Sequence, residues 1–321
     1  YYVEKDGAVL NAAISLYTHV TMIKRSDSRL IIKSHDVGVT IEADSLQEFL
    51  DHPGELKLFA AVLSLIKPEF GFELTVRSDF PVGSGLGGSG TAAVALIGCF
   101  NLTRYDRWDR YEVAEIAYQA ERLCLSISGG WQDQYAASFG GFNYMEFSSG
   151  TNIVNQLKLD SRTRDELEAN LLLCNLRTIH DSGAIHDDQQ QTMQSTKVGE
   201  NVEANVKLCT QMKNVLLKGR LENFGSLLNQ AWQYKKTFSA KISNTQIDKI
   251  YDGACNVGAL GGKLLGAGGG GFFIFYVPPE RRPDVEIFLS NSGCDVTRFN
   301  FDDSGLVFWT SRSLKGTHQA I

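Results

Sequence analysis

No apolar run in this chain approaches the roughly 20 residues that span a bilayer, and no signal-peptide pattern opens it. Neither a membrane partner nor a secretory route is expected. Cys-x-x-Cys pairs are missing as well. The six cysteines, Cys99, Cys124, Cys174, Cys209, Cys255 and Cys294, are scattered and mostly sit in apolar runs, as buried free thiols do. That usage predicts a reducing, cytoplasmic setting. Clustered basic charge is scarce. The net charge is −6, and the groupings Lys235-Lys236 and Arg281-Arg282 are short and read as solvated surface. Without a basic field to steer a polyanion, nucleic acid is not expected as a partner. Repeats and low-complexity tracts are absent, and no lysine occurs between Lys67 and Lys158. The chain begins at Tyr1 rather than Met, so residues upstream are expected.

What is present suits a globular protein: 321 residues, 43% apolar and 21% charged, enough for a substantial core and two domains. The second half of 7–23, with Leu30–Ser34 and Val39–Glu42, reads as strands of one antiparallel sheet. Helical spacing covers 55–66 and 109–123, the latter with Val113, Ile116, Ala117, Ala120 and Leu123 as its buried stripe. A strand is predicted at 142–147. The charged stretch 160–167 reads as a turn and as the domain boundary, dividing the chain into 1–165 and 166–321. Beyond it come a short strand at 171–176, long helical patterns over 187–217, 221–235 and 245–258, a strand at 272–277 and a helix over 283–290. Short strands at 295–299 and 306–309 end the pattern. This half reads as an α+β unit with helices on one face of a small sheet.

The chain is organised around Pro81-Val-Gly-Ser-Gly-Leu-Gly-Gly-Ser-Gly-Thr91, between the alternating strand Phe72–Ser78 and the apolar segment Ala92–Phe100. The order is strand, glycine loop, helix. Five glycines in the eight residues 83–90 let a ligand approach the backbone, and the first amides of the helix have no intrahelical partner. Such an end attracts phosphate. Ser84, Ser89 and Thr91 add hydroxyls that can bond phosphate oxygens or hold a divalent cation, or merely cap the helix. A Walker loop is excluded, because it needs a lysine after its last glycine.

Gly266-Ala-Gly-Gly-Gly-Gly271 fits the Gly-x-Gly-x-x-Gly dinucleotide pattern, but it enters a strand, whereas that motif opens a helix. A dehydrogenase is therefore disfavoured. Asp133, in the polar break Gly129-Gly-Trp-Gln-Asp-Gln134, can take or orient a hydroxyl proton, or can cap a helix over 134–139. Glu121 is either a solvated carboxylate or, if it meets Ser89, a metal ligand. His180-Asp-Ser-Gly-Ala-Ile-His186 holds the residue types of a triad, yet triad members usually converge from separate loops. Its histidines lack a fourth metal ligand or a helical His-x-x-x-His. His180 can contact a substrate.

Pro81–Gly90 resembles the central phosphate-binding motif of the GHMP small-molecule kinases, and Lys263-Leu-Leu-Gly-Ala-Gly-Gly-Gly-Gly271 resembles that family's C-terminal glycine motif. Gly129–Phe147 and Gly7–Ile14 are most similar to its heptose 7-phosphate kinases. The resemblance covers nearly the whole chain. It implies an α+β, two-domain GHMP kinase fold, with a ribosomal protein S5 domain 2-like N-terminal domain and a ferredoxin-like C-terminal domain. It further implies ATP and Mg²⁺ as cofactors, and a sugar phosphate as partner to a monomer or homodimer.

By that resemblance the backbone from Pro81 through Gly83, Ser84, Gly85, Leu86, Gly87, Gly88, Ser89, Gly90 and Thr91 would wrap the ATP phosphates. Ser89 and Glu121 would hold the metal, and Asp133 would be the catalytic carboxylate. Gly129, Gly130 and Gln132, with Arg177 and His180, would lie toward the substrate, and Gly266, Gly268, Gly269 and Gly270 toward the γ-phosphate. The expected reaction is phosphorylation of the anomeric hydroxyl of D-glycero-D-manno-heptose 7-phosphate. An L-fucose or galactose type of sugar kinase and a non-catalytic nucleotide-binding regulator are the alternatives. Two departures stand out: the central motif usually reads Gly-Leu-Gly-Ser-Ser-Ala, so Gly87-Gly88-Ser89-Gly90 has one hydroxyl fewer, and the family's N-terminal motif would lie before Tyr1.

Overall fold

The computed structural model describes residues 6–127, 129–148, 150–178, 185, 188, 189, 192 and 196–311. In chain order come β1 (Gly7–Ala12), β2 (Thr18–Lys24), β3 (Leu30–Ser34), β4 (Val39–Ala43), α1 (Leu46–Asp51), α2 (Lys57–Ile66), β5 (Phe72–Ser78), α3 (Gly88–Asn101) and α4 (Arg110–Tyr118). Then follow α5 (Gln132–Phe139), β6 (Phe142–Phe147), β7 (Asn152–Gln156), α6 (Ser161–Asn170), β8 (Leu171–Asn175), α7 (Thr196–Lys218), α8 (Phe224–Lys236), α9 (Thr245–Val257), β9 (Gly261–Leu264), β10 (Phe272–Tyr276), α10 (Arg282–Asn291) and β11 (Asp295–Thr297). These gather into two compact units: Tyr1–Ser15, Gly83–Gly87 and Gly141–Asp303 form one, and Leu16–Val82, Gly88–Gly140 and Ser304–Ile321 the other. Each unit is assembled from separate stretches of chain.

In the unit that begins at Leu16, β5 alternates as its sequence requires, burying Phe72, Leu74 and Val76 while Arg77 is exposed. The sheet order is β2-β5-β3-β4. The expectation of a wholly antiparallel sheet is corrected here, because β3 runs parallel to β5. β4, α1 and α2 supply the long crossover that a parallel pair needs. Phe59, Val62 and Leu63 of α2 and Val94, Ile97 and Phe100 of α3 share one core with the buried side of this sheet. At its centre Phe72 and Phe100 meet edge to face, with ring centroids 5.0 Å apart.

The expected helix over 109–123 begins with a capping box between Asp109 and Glu112, then widens into a π-helical turn at Gln119–Cys124. The wider turn changes which residues face inward. Glu121 becomes buried, and Leu123, expected in the buried stripe, is exposed. No strand forms at 306–309; instead the Leu306 side chain packs on Gly98 and its amide bonds the carbonyl of Ser138.

In the other unit, β1, β6 and β7 form one antiparallel sheet and β11-β8-β10-β9 a second. Numbered within the second sheet, the strand order is fourth, first, third, second, with helices inserted after the first and third strands. That is the ferredoxin-like arrangement. Phe273 and Phe275 of β10 pack against Trp232 of α8 and Tyr251 of α9. The turn expected over 160–167 is helix α6, because the Asp160 carboxylate caps it at the Arg162 amide and Thr163 and Leu167 are buried. Among the described residues no helix is long and apolar enough to cross a membrane.

Phe100→Ala would remove a fully buried ring from the joint between α3 and its sheet. The expected loss is about 3–5 kcal/mol of unfolding free energy. A urea titration followed by tryptophan fluorescence checks it; a loss below about 1 kcal/mol would mean that the site repacks.

Candidate active site

The loop after β5 is built around backbone that favours glycine. Gly83, Gly85 and Gly87 adopt φ values of 74°, 76° and 73°, in the left-handed region that side chains disfavour. Ser84 between them is buried. Its carbonyl accepts the Phe272 amide at 3.1 Å, and its Oγ accepts the Leu86 amide at 3.3 Å. The loop is thereby anchored to the start of β10. Gly266 then meets it backbone to backbone: a Cβ built on Gly266 would lie 2.6 Å from the Cα of Gly85 and 2.9 Å from its carbonyl oxygen. The two glycine motifs, far apart in sequence, therefore touch in a way that only glycine permits. The second loop is tied down in turn by Gly269 donating to Ile242 O and Gly271 to Thr178 O.

The carboxylates are organised on the unit that holds α3 and α5. Helix α3 starts at Gly88, and at Gly90 it crosses α5 so closely that a Cβ would lie 3.1 Å from the Cβ of Asp133 and 3.2 Å from the Gln134 amide. Asp133 therefore stands next to the first turn of α3, where Ser89 is. It does not cap α5, whose N-cap is Trp131 with no side-chain cap bond. The capping reading is thus overturned and the carboxylate is left for other work. Burial, and second the negative charge of Glu121, push the Asp133 pKa from 3.8 up to about 6; the Arg122 charge and a hydrogen bond with Gln132 oppose the rise.

Glu121, read from sequence as either solvated or metal-binding, is only 2% exposed, so the solvated reading is corrected. Gln134 donates from Nε2 to its Oε2. Among the described residues no Lys, Arg or His lies within ion-pair distance of Glu121. A buried carboxylate with a neutral partner is costly unless a cation completes it. Two carboxylates near enough to feel each other's charge, with the hydroxyl-bearing first turn of α3 beside Asp133, are the donor types that a hard divalent cation takes. The residues present therefore fit Mg²⁺.

Gly129 and Gly130 cradle Arg122. Its guanidinium lies where a Cβ of Gly129 would be, and it donates to Gly130 O at 3.3 Å and Ile127 O at 3.4 Å. Arg177 is exposed and makes a two-pronged ion pair with Asp295, with Nε and Nη2 donating at 2.7 and 2.6 Å. His180 lies outside the described residues. Sequence reasoning passed over Arg122 and Gln134, although each directly follows a residue it singled out. It also read Lys235 as solvated surface. That is corrected: Lys235 is 7% exposed, one turn of α8 beyond the buried pair Ala231 and Trp232, because its amine is drawn inward to backbone carbonyls of the second glycine loop.

Comparison with known proteins matches residues 56–141 to the GHMP kinases N terminal domain and residues 212–288 to the GHMP kinases C terminal domain. A D-glycero-alpha-D-manno-heptose 7-phosphate kinase of Campylobacter jejuni is 37% identical over 309 residues, covering 94% of this chain and 91% of the relative. The crystal structure of a D-glycero-D-manno-heptose 1-phosphate kinase from Bacteroides thetaiotaomicron superposes with a TM-score of 0.76 at 31% identity, covering 96% of this chain and 92% of that one. A galactokinase of Lactococcus lactis, solved with galactose, has a TM-score of 0.72 at 19% identity, covering 93% and 88%, and shares the fold.

Because the folded pKa of Asp133 lies above its unfolded value of 3.8, ionisation favours the unfolded chain. The cost is absent at pH values below about 4, grows as pH rises through about 6, and is complete above that. Asp133→Asn should therefore be more stable than wild type at pH 8, by on the order of 2 kcal/mol, and no more stable at pH 3.5. Metal-free thermal melts across this range check the sign. An advantage that is the same at both pH values would remove the desolvated charge as its cause.

Proposed function

This chain belongs to the GHMP kinase family, and from that membership we propose that it transfers the γ-phosphate of ATP to the anomeric hydroxyl of D-glycero-D-manno-heptose 7-phosphate, giving the 1,7-bisphosphate. It is an ATP-dependent phosphotransferase of the sugar-kinase type. The observation that carries the catalytic assignment is the crossing of α3 and α5 at Gly90, which sets a desolvated Asp133 against the first turn of the phosphate-loop helix.

In this reading the backbone of 83–90 and the first turn of α3 bind the triphosphate, and Gly266, Gly268, Gly269 and Gly270 close over its γ-phosphate side. Asp133 accepts or orients the proton of the sugar hydroxyl. A carboxylate with a pKa near 6 is a better base than an ordinary aspartate and is still ionised at neutral pH. The sugar oxygen then forms its bond to the γ-phosphorus as the bond to the β,γ-bridging oxygen breaks, in line, and ADP leaves. Ser89 and Glu121 would hold Mg²⁺, which when bound supplies neutralising charge to the phosphate oxygens. Gln134 holds the Glu121 carboxylate in place. Gly129, Gly130 and Gln132 lie toward the acceptor. The 7-phosphate calls for a cation, which Arg177 can supply by exchanging Asp295 for the phosphate.

Coupled ADP release against a panel of heptose 7-phosphate, fucose, galactose and free heptose tests the substrate. Turnover confined to the heptose phosphate is expected. Turnover on another sugar alone would keep the kinase and discard this acceptor. Asp133→Asn should lower kcat by about a thousandfold while ATP binding changes by a few-fold at most. Near-normal turnover would take Asp133 out of the mechanism. Ser89→Ala should raise the Mg²⁺ concentration needed for half-maximal rate.

A further inference from the structure

Lys235 has no part in the mechanism above, yet it is buried beneath one of the loops on which that mechanism depends. Its amine donates to Leu264 O at 2.8 Å and to Gly266 O at 2.5 Å. Among the described residues no carboxylate pairs with it; the carboxylate nearby, Asp248, is taken by Lys236 and Ser243. Burial holds its pKa well below the usual lysine range, and Lys263 adds a charge of the same sign. With or without its third proton the amine has two hydrogens to give. Both go to the backbone that leads into 266–271. A long side chain that is fully ordered and partnered only by two carbonyls loses rotamer freedom and hydration. What it secures is the orientation of two peptide planes.

In a trans peptide the carbonyl and the following N–H point in opposite directions. With Gly266 O held toward Lys235, the Ala267 N–H is turned the other way. With Ala267 O accepting Gln189 Nε2 at 3.3 Å, the Gly268 N–H is turned away from Gln189 in the same manner. The loop amides then sort into two groups. Those of Leu265, Gly269 and Gly271 donate to Phe272 O, Ile242 O and Thr178 O. Those of Ala267, Gly268 and Gly270, on residues that are themselves buried, have no acceptor among the described residues. Buried N–H groups are rarely left unmade, and successive ones facing a common point form an anion-binding nest. The same loop abuts Gly85 of the first glycine motif.

We infer that Lys235 is a positioning residue for the terminal phosphate of the nucleotide: by holding the Gly266 carbonyl inward it turns the unpartnered Ala267 amide toward the γ-phosphate, beside the Gly268 amide that the Gln189 bond to Ala267 O orients. This rests on ATP being the ligand of the two glycine loops, as proposed above. It goes further in naming a side chain that touches neither substrate and separates ATP from ADP.

The test is calorimetric titration of the full chain with Mg·ATP and with Mg·ADP, for wild type, Lys235→Met and Lys235→Gln, each with a thermal melt. Methionine fills the space without a donor, and glutamine restores an N–H. In K235M the ATP affinity should fall at least tenfold while ADP affinity changes by threefold or less, with K235Q between it and wild type. A purely structural role would lower the melting temperature and leave the ATP-to-ADP ratio alone. An unchanged ratio in either folded variant, or failure of both variants to fold, overturns the inference. Absence of ATP binding by the wild-type protein would instead sink the nucleotide reading itself, and this inference with it.

Discussion

The approach of Gly85 to Gly266 is the constraint on which the rest depends. Two backbone segments cannot come so near unless neither carries a Cβ, and each needs a positive φ that other residues resist. Everything around the contact serves to hold it. Ser84 is tied to the start of β10, Gly269 and Gly271 are tied to Ile242 and Thr178, and Lys235 anchors the carbonyls of the approach. The apolar layer of Trp232, Tyr251, Phe273 and Phe275 gives that frame its rigidity. Loops without side chains to pack are ordered here by fixing their peptide groups one at a time.

The carboxylate side shows the opposite economy. Glu121 is buried and Asp133 partly so, and the two are near enough that the charge of one raises the pKa of the other, which the neighbouring groups only partly offset. Arg122, which opposes the rise in the Asp133 pKa, also donates to backbone carbonyls. Two carboxylates set together in this way favour a cation, which is the role proposed above for Mg²⁺.

Much of this was legible in the sequence. Alternation in 72–78, the glycine run and the apolar segment after it define a strand, loop and helix because each obeys a local rule. The π-helical turn was not legible, since the same residues satisfy an ordinary helical stripe; only the burial of Glu121 and exposure of Leu123 reveal it. Asp160 and its helix were misread because charge density resembles a turn, whereas the buried Thr163 and Leu167 are set by tertiary packing. The parallel pairing of β3 with β5 is also a property of the whole unit. Lys235 was the most deceptive: a lysine beside a lysine looks like surface, and nothing local reports that two carbonyls await it.

The interleaving of the two units bears on how the protein is made. Leu306 packs on Gly98, and its amide bonds Ser138, so the unit begun at Leu16 is finished by residues translated after all of the other unit. The other unit in turn needs Gly7–Ala12 beside Phe142–Phe147 before its three-stranded sheet exists. Each unit is therefore completed only when distant parts of the chain meet, and contacts of such long sequence separation form slowly. Until Leu306 is available, Gly98 and the end of α5 lack the contact that finishes that unit.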